Sequence, residues 1–254
     1  MTRSVLVVED DADAVEVLSV AIESGWKDAM RALAGTSACV SMTGACSCSF
    51  SVKIVVARTE AELSAALVAG GFTLAVVDQL LGWSVGVDVQ ARLDAVGIHS
   101  IPVSGVVHCD QVLSKKNGAV AVRAAVSEWV QIRAPRVLVV EDDVDHLRMT
   151  VRSIFDVMGP VRVEHHAMST TVPHAGTWDL AVVDTILIGS PLQGVDVAMD
   201  LLRRGVPTFM VTAAMPASLA QRLSPSGVDI VPKTTEAVRT AIRRVCGGRF
   251  PAPP

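Results

Sequence analysis

One heptapeptide, VLVVEDD, occurs twice in the chain, at 5–11 and again at 137–143, and a second block, LAVVD, recurs at 74–78 and 180–184. A repeat of this kind constrains the architecture before any single residue does. Each block is a run of Val and Leu that ends in acid. Runs that are apolar on both faces fit central strands of a parallel sheet covered by helices on either side. The acids then gather at the carboxyl ends of the strands, the edge on which open α/β sheets build their sites. At 254 residues the chain is long enough for two such domains, each with its own core. The repeat places them at 1–134 and 135–254.

Between the blocks, strands and helices alternate. In the second half the pattern predicts strands at 137–142, 161–166, 179–184, 207–212 and 228–232, with helices near 144–158, 194–204, 217–223 and 234–245. Gly159-Pro160 and Gly205 punctuate two of the helix ends. Five strands with interleaved helices make a doubly wound α/β sheet. The first half follows the same plan with an insertion and a shortening. Asp10 and Asp78 are 68 positions apart, whereas Asp142 and Asp184 are 42 apart, so about 26 residues are extra near 25–50. That stretch holds the small, polar run GTSACVSMTGACSCSF and reads as an extended helix followed by a loop. Ser104 and Lys115 are 11 positions apart against 21 for Thr212 and Lys233, so one helix is missing or reduced to a turn near 105–114.

Composition excludes several function classes. A net charge of −4 gives no overall attraction to nucleic acid. Only 19% of residues are charged and mean hydropathy is +0.46, yet no apolar run reaches 18 residues. The hydrophobicity therefore belongs to buried strands and helix faces, not to membrane spans. Acid arrives by Glu9, too early for a secretory leader. The expected compartment is the cytoplasm, where five cysteines are not expected to form a disulfide framework.

The chemistry is clearest in the second half. Glu141 and Asp142 end its first strand, Asp184 its third, Thr212 its fourth and Lys233 its fifth, so all of them open on one sheet edge. Three carboxylates there repel one another without a cation. Mg²⁺ suits an all-oxygen site and keeps room for water and a phosphate oxygen. A carboxylate beside Mg²⁺ can attack a phosphoryl group, and an ammonium and a hydroxyl can stabilise the acyl phosphate that results.

This set resembles the receiver domain of bacterial response regulators, and the resemblance covers nearly all of both halves. It implies two flavodoxin-like, doubly wound five-stranded parallel sheets in tandem, Mg²⁺ as the cofactor, and phosphorylation of an aspartate. By position, Asp184 resembles the phospho-acceptor and Asp142 the direct Mg²⁺ ligand, with Glu141 acting largely through water. The carbonyl of Ile186 corresponds to a backbone ligand, Thr212 to the switch hydroxyl and Lys233 to the family's lysine. Acceptor-to-hydroxyl and acceptor-to-lysine separations of 28 and 49 are close to the family's spacing. In the first half Glu9, Asp10 and Asp78 match the acidic trio, Leu80 the backbone ligand and Ser104 the hydroxyl. The lysine is Lys115 or Lys116, with Lys115 preferred. Two departures touch the switch: Ile230 stands where the family often has an aromatic residue, and Pro232 precedes Lys233 where the family usually has proline after it.

The function so implied is two-component signalling. A histidine kinase or phosphotransfer protein donates phosphate, and the chain acts on a downstream protein target, with no enzymatic activity beyond its own phosphorylation and dephosphorylation. No helix-turn-helix segment follows the receivers, so no nucleic-acid or membrane partner is expected. Self-association and an internal pseudo-dimer both stay open. The competing reading is a phosphorylation-independent pseudo-receiver scaffold. The shortened segment and the missing aromatic favour it for the first half, and the intact acidic set argues against it for the second. A haloacid-dehalogenase-like phosphatase would need a D-x-D pair, which Asp78-Gln79-Leu80 and Asp184-Thr185-Ile186 lack.

The remaining signals read as structure. Asp11 and Asp143 are helix caps. Cys39, Cys46 and Cys48 have no fourth ligand nearby for zinc. His165-His166 falls on a strand, unlike a phosphotransfer histidine on a helix face, and His146 and His174 have no evident partner. Arg239, Arg243 and Arg244 form one basic face on the last helix, read as solvated.

Overall fold

The computed structural model describes residues 3–35, 52–104, 113–173, 175–188, 194–213 and 228–247. The first sheet contains β1 (Arg3–Val8), β2 (Val52–Ala57), β3 (Phe72–Asp78), β4 (His99–Ser104) and β5 (Leu113–Ser114) in the order β2-β1-β3-β4-β5. The second contains β6 (Arg136–Val140), β7 (Arg162–His166), β8 (Leu180–Asp184), β9 (Thr208–Thr212) and β10 (Asp229–Pro232), in the order β7-β6-β8-β9-β10. Every pairing in both sheets is parallel. Each therefore has the 2-1-3-4-5 order of the flavodoxin-like doubly wound fold, with its switch point between the first and third strands.

The repeated blocks sit at the centre because they are apolar on both faces. In the first sheet Leu6, Val8, Ala75 and Val77 pack on one side against α2 (Glu60–Ala69) and α3 (Gly86–Ala95) through Leu63, Ala66, Val89 and Leu93. Val5 and Val7, equally buried, face the other side by the strand's alternation. In the second sheet Leu138, Val140, Ala181 and Val183 pack against α6 (Gly194–Arg203) through Val195, Ala198 and Leu201. Each valine or leucine so removed from water contributes about 1.5–3 kcal/mol.

The first and last helices of each half are joined by an ion pair. Asp28 on α1 (Ala12–Gly35) meets Arg123 on α4 (Lys115–Arg133), 2.5 Å apart, and Asp156 on α5 (Val144–Met158) meets Arg239 on α7 (Thr235–Val245). Gly25 permits the first of these crossings: a Cβ there would lie 2.3 Å from the Arg123 carbonyl oxygen. The basic face expected on α7 is largely solvated, with the Arg243 and Arg244 side chains more than half exposed. Besides Arg239, Arg243 pairs with Glu236 at 3.6 Å and Arg244 with Asp229 at 2.7 Å, so each guanidinium has a carboxylate partner.

The insertion near 25–50 begins as helix, since α1 runs unbroken to Gly35; residues 36–51, with the three clustered cysteines, lie outside the described residues. So do most of the shortened segment, whose last two residues form β5, and the helix expected near 217–223. The two halves also differ between their second and third strands. The first has α2 there, and among the described residues the second has a 3-10 turn (Ser169–Thr171) in its place. Among the described residues no helix is long and apolar enough to cross a membrane.

Candidate functional site

Strand ends place the acids. Val140 is the last residue of β6, but the Glu141 N–H still bonds the His166 carbonyl at 3.1 Å, so Glu141 and Asp142 leave the sheet at its carboxyl edge. Asp143 then caps α5, its Oδ1 accepting from the N–H groups of Asp145 (2.8 Å) and His146 (2.9 Å). Asp11 caps α1 in the same way, at 2.9 Å from the Asp13 N–H. The cap leaves the two preceding acids facing Asp184 at the end of β8. One carboxylate oxygen from each of Glu141, Asp142 and Asp184 lies within 4.8 Å of the others, and Glu9, Asp10 and Asp78 form an equal cluster in the first half.

The two clusters share their fine geometry. Asp142 Oδ2 accepts from the Ile188 N–H at 2.7 Å, and Asp10 Oδ2 accepts from the Gly82 N–H at 2.7 Å. In both halves that donor lies four residues beyond the central aspartate, so the loop after the third strand folds back onto the aspartate that follows the first. Either trio is an all-oxygen donor set of the size a divalent cation takes.

In the second half a cation of the chain itself already meets the acids. Lys233, immediately after β10, is held there by its N–H bonding the Thr212 carbonyl at 2.9 Å. Its Nζ lies 2.7 Å from Asp184 Oδ2, 2.9 Å from the Glu141 carboxylate and 3.4 Å from His146 Nδ1. The Lys233 side chain is 7% exposed and that of Glu141 1%. Burial alone would lower the lysine's pKa, but its bonds to Asp184 and Glu141 outweigh this and raise it. For Glu141 burial wins: it pushes the carboxyl up to about 7, against the pull of Lys233 and aided by the charge of Asp184.

A folded-state pKa above the ordinary 4.5 means that Glu141 contributes stability fully present below that pH and lost as pH rises through about 7. In EDTA, wild type should therefore lose on the order of 2–3 kcal/mol relative to Glu141→Gln between those limits. Chemical denaturation of both proteins at stepped pH reads the difference. Parallel curves would mean that burial does not raise the Glu141 carboxyl above its ordinary value.

Thr212 ends β9 with 6% exposure, and its Oγ1 accepts from Thr185 Oγ1 at 2.9 Å. Ile186 donates its N–H to Asp184 Oδ1 at 3.3 Å. In the first half Ser104 ends β4 and is buried. Leu80 forms an isolated bridge with Val85, and Lys115 follows β5 directly as the first residue of α4. The side chains of Lys115 and Lys116 lie outside what is described.

Several participants carried little signal in sequence. His146 has partners after all, Lys233 and the Asp143 carboxylate at 3.5 Å. His165 Nε2 bonds the Glu141 carbonyl at 2.7 Å, a structural role as expected of a strand histidine. Gly86 and Gly194 open α3 and α6 against the backbone of the central aspartates: a Cβ would lie 2.4 Å from the Asp78 carbonyl oxygen and 1.6 Å from that of Asp184. A second repeat, GVDV at 86–89 and 194–197, marks both glycines.

No protein-family model matches the sequence, and no curated protein does. Solved structures similar to the chain include a CheY-like response regulator receiver domain from Methanospirillum hungatei JF-1, at 21% identity and a TM-score of 0.38, covering 44% of this chain and 92% of that one. The phosphorylated cyanobacterial phytochrome response regulator RcpA is similar at 13% identity and a TM-score of 0.40, covering 48% and 99%. The receiver domain of the Francisella response regulator 1452 is similar at 15% identity and a TM-score of 0.36, covering 44% and 95%.

Proposed function

We propose that the chain is a cytoplasmic two-component response regulator built of two receiver domains, which accepts phosphate on Asp184 and on Asp78 and signals by protein–protein contact. The observation that carries this reading is Lys233 Nζ bridging Asp184 and Glu141, at 2.7 and 2.9 Å, inside an all-carboxylate cluster at a sheet edge. A buried lysine across two acids serves poorly as a stabilising device alone, since desolvation consumes most of the Coulomb gain. It suits a site that must receive further negative charge.

In that chemistry a carboxylate oxygen of Asp184 attacks the phosphorus of a phosphohistidine or a small acyl phosphate. The bond from phosphorus to the donor breaks, the donor leaves with the electron pair, and an acyl phosphate forms on Asp184. Lys233 pairs with a phosphoryl oxygen and Thr212 donates its hydroxyl to another. Mg²⁺, held by Asp142, Asp184 and the Ile186 carbonyl with Glu141 behind water, would neutralise the phosphoryl charge. Asp10, Asp78, Leu80 and Glu9 would do the same in the first half, with Ser104 and Lys115 as hydroxyl and ammonium. A histidine kinase or phosphotransfer protein is the donor, and the receiver of the signal is a protein whose contact changes when phosphate adds charge at the site.

Intact-mass spectrometry after incubation with acetyl phosphate tests this. Wild type should gain two phosphoryl groups with Mg²⁺ and none in EDTA, and Asp78→Asn should gain one. A single adduct that Asp78→Asn leaves untouched would make the first half a docking domain. No adduct, together with no Mg²⁺ binding by calorimetry, would replace the reading with the pseudo-receiver scaffold.

A further inference from the structure

Thr185 follows the acceptor Asp184 directly and is 1% exposed. Its N–H bonds the Val211 carbonyl at 3.0 Å, which fixes it between the ends of β8 and β9. Its Oγ1 donates to Thr212 Oγ1 at 2.9 Å and lies 3.5 Å from Asp184 Oδ1. The two hydroxyls and the acceptor carboxylate thus form one buried polar group. A hydroxyl that accepts from a neighbour keeps its own proton for another acceptor, and successive donors in such a chain polarise one another.

The first half lacks this arrangement. Gln79 stands at the position of Thr185, and its Nε2 is turned to Gln90 Oε1 at 3.4 Å. The pairing of hydroxyls is therefore a property of one half and not a by-product of the shared backbone, which holds Gln79 by the same bond, its N–H to the Val103 carbonyl at 2.9 Å.

We propose that Thr185 is a positioning residue that holds the Thr212 hydroxyl at the acceptor before phosphorylation, ready to donate to the phosphoryl group on Asp184. The proposal rests on Asp184 being the acceptor.

Thr185→Val removes the hydroxyl and keeps the β-branched shape, and Thr185→Ser returns the hydroxyl. Loss of one hydrogen bond of ordinary net strength should slow phosphate uptake at Asp184 by about three- to tenfold. Mg²⁺ affinity should stay at the wild-type value, and Thr185→Ser should recover the wild-type rate. Uptake is read by time-resolved intact mass with acetyl phosphate in an Asp78→Asn background, and Mg²⁺ binding by calorimetry. Thr185→Ala takes the place of the valine variant if circular dichroism shows the latter unfolded. A hydroxyl-free variant labelled at the wild-type rate overturns the proposal and leaves the acceptor assignment standing. Equal slowing in the serine variant, or a parallel loss of Mg²⁺ affinity, overturns it as well, the first by pointing to packing and the second to the metal site. A background protein that takes no phosphate at all sinks the acceptor assignment, and this proposal with it.

Discussion

Asp184→Asn should bring phosphate uptake by the second half down to background while leaving its fold at least as stable as that of the wild type. The first effect is chemical: an amide has no carboxylate oxygen to attack phosphorus. The second follows from electrostatics. Asp184 and Glu141 share one ammonium in a dry site, and the charge of Asp184 is among the causes that push Glu141 up to about 7. Removing one of two like charges relieves that repulsion, and Lys233 keeps Glu141 as its partner at 2.9 Å. The amide side chain of the variant also keeps an oxygen for the Ile186 N–H. Intact mass with peptide mapping reads the first effect and chemical denaturation the second. A phosphoryl group still mapping to residues 180–188 would overturn the acceptor assignment. A large loss of stability would mean that the Asp184–Lys233 pair holds the fold together.

Much of this site could be read from sequence because the parallel sheet ties position to periodicity. Runs such as VLVV and LAVV are apolar on both faces only in central strands, so the acids that follow them had to meet at one edge, and Glu141, Asp142 and Asp184 do so. Lys233 could be matched because its separation of 49 from Asp184 is close to the spacing of the family that the sequence resembles. Other features depend on contacts that no local pattern encodes. Gly86 and Gly194 lack positive φ, so no turn announces them; they are glycines because a carbonyl from another element passes where a Cβ would be. Their signal was the repeated GVDV, legible only when two copies are compared. His146 meets Lys233 across 87 positions of chain, and Thr185 meets Thr212 across two strand ends. The basic face of the last helix was legible and Arg243 and Arg244 are exposed on it, but helical spacing shows only which residues share a face, and Asp156 and Asp229, which pair with it, come from other elements.

Lys233→Ala should destabilise the metal-free second half by about 3–5 kcal/mol, the usual cost of removing one partner from a buried ion pair. The ammonium is 7% exposed and sits between two carboxylates that are 1% and 6% exposed, so its loss leaves Asp184 without its counter-charge and removes the pull that holds the Glu141 carboxyl down. The same reasoning gives the sign of the metal effect. In the wild type Lys233 already neutralises part of the charge that a divalent cation would be drawn to. The variant should therefore bind Mg²⁺ more tightly than the wild type, and saturating Mg²⁺ should raise its melting temperature by the larger amount, since a ligand of the native state stabilises according to its affinity. The gain does not extend to signalling. With the ammonium gone, a phosphoryl group on Asp184 loses the partner that would anchor it to the end of β10, and α7 begins two residues further on at Thr235. Thermal melts in EDTA and in Mg²⁺, with amide hydrogen exchange over 229–245 before and after acetyl phosphate, measure these effects. A variant as stable as wild type in EDTA would mean that the ion pairs of Lys233 contribute nothing net to the fold. A wild-type exchange response on phosphorylation would take Lys233 out of the switch and leave Thr212 as its remaining contact with the phosphoryl group.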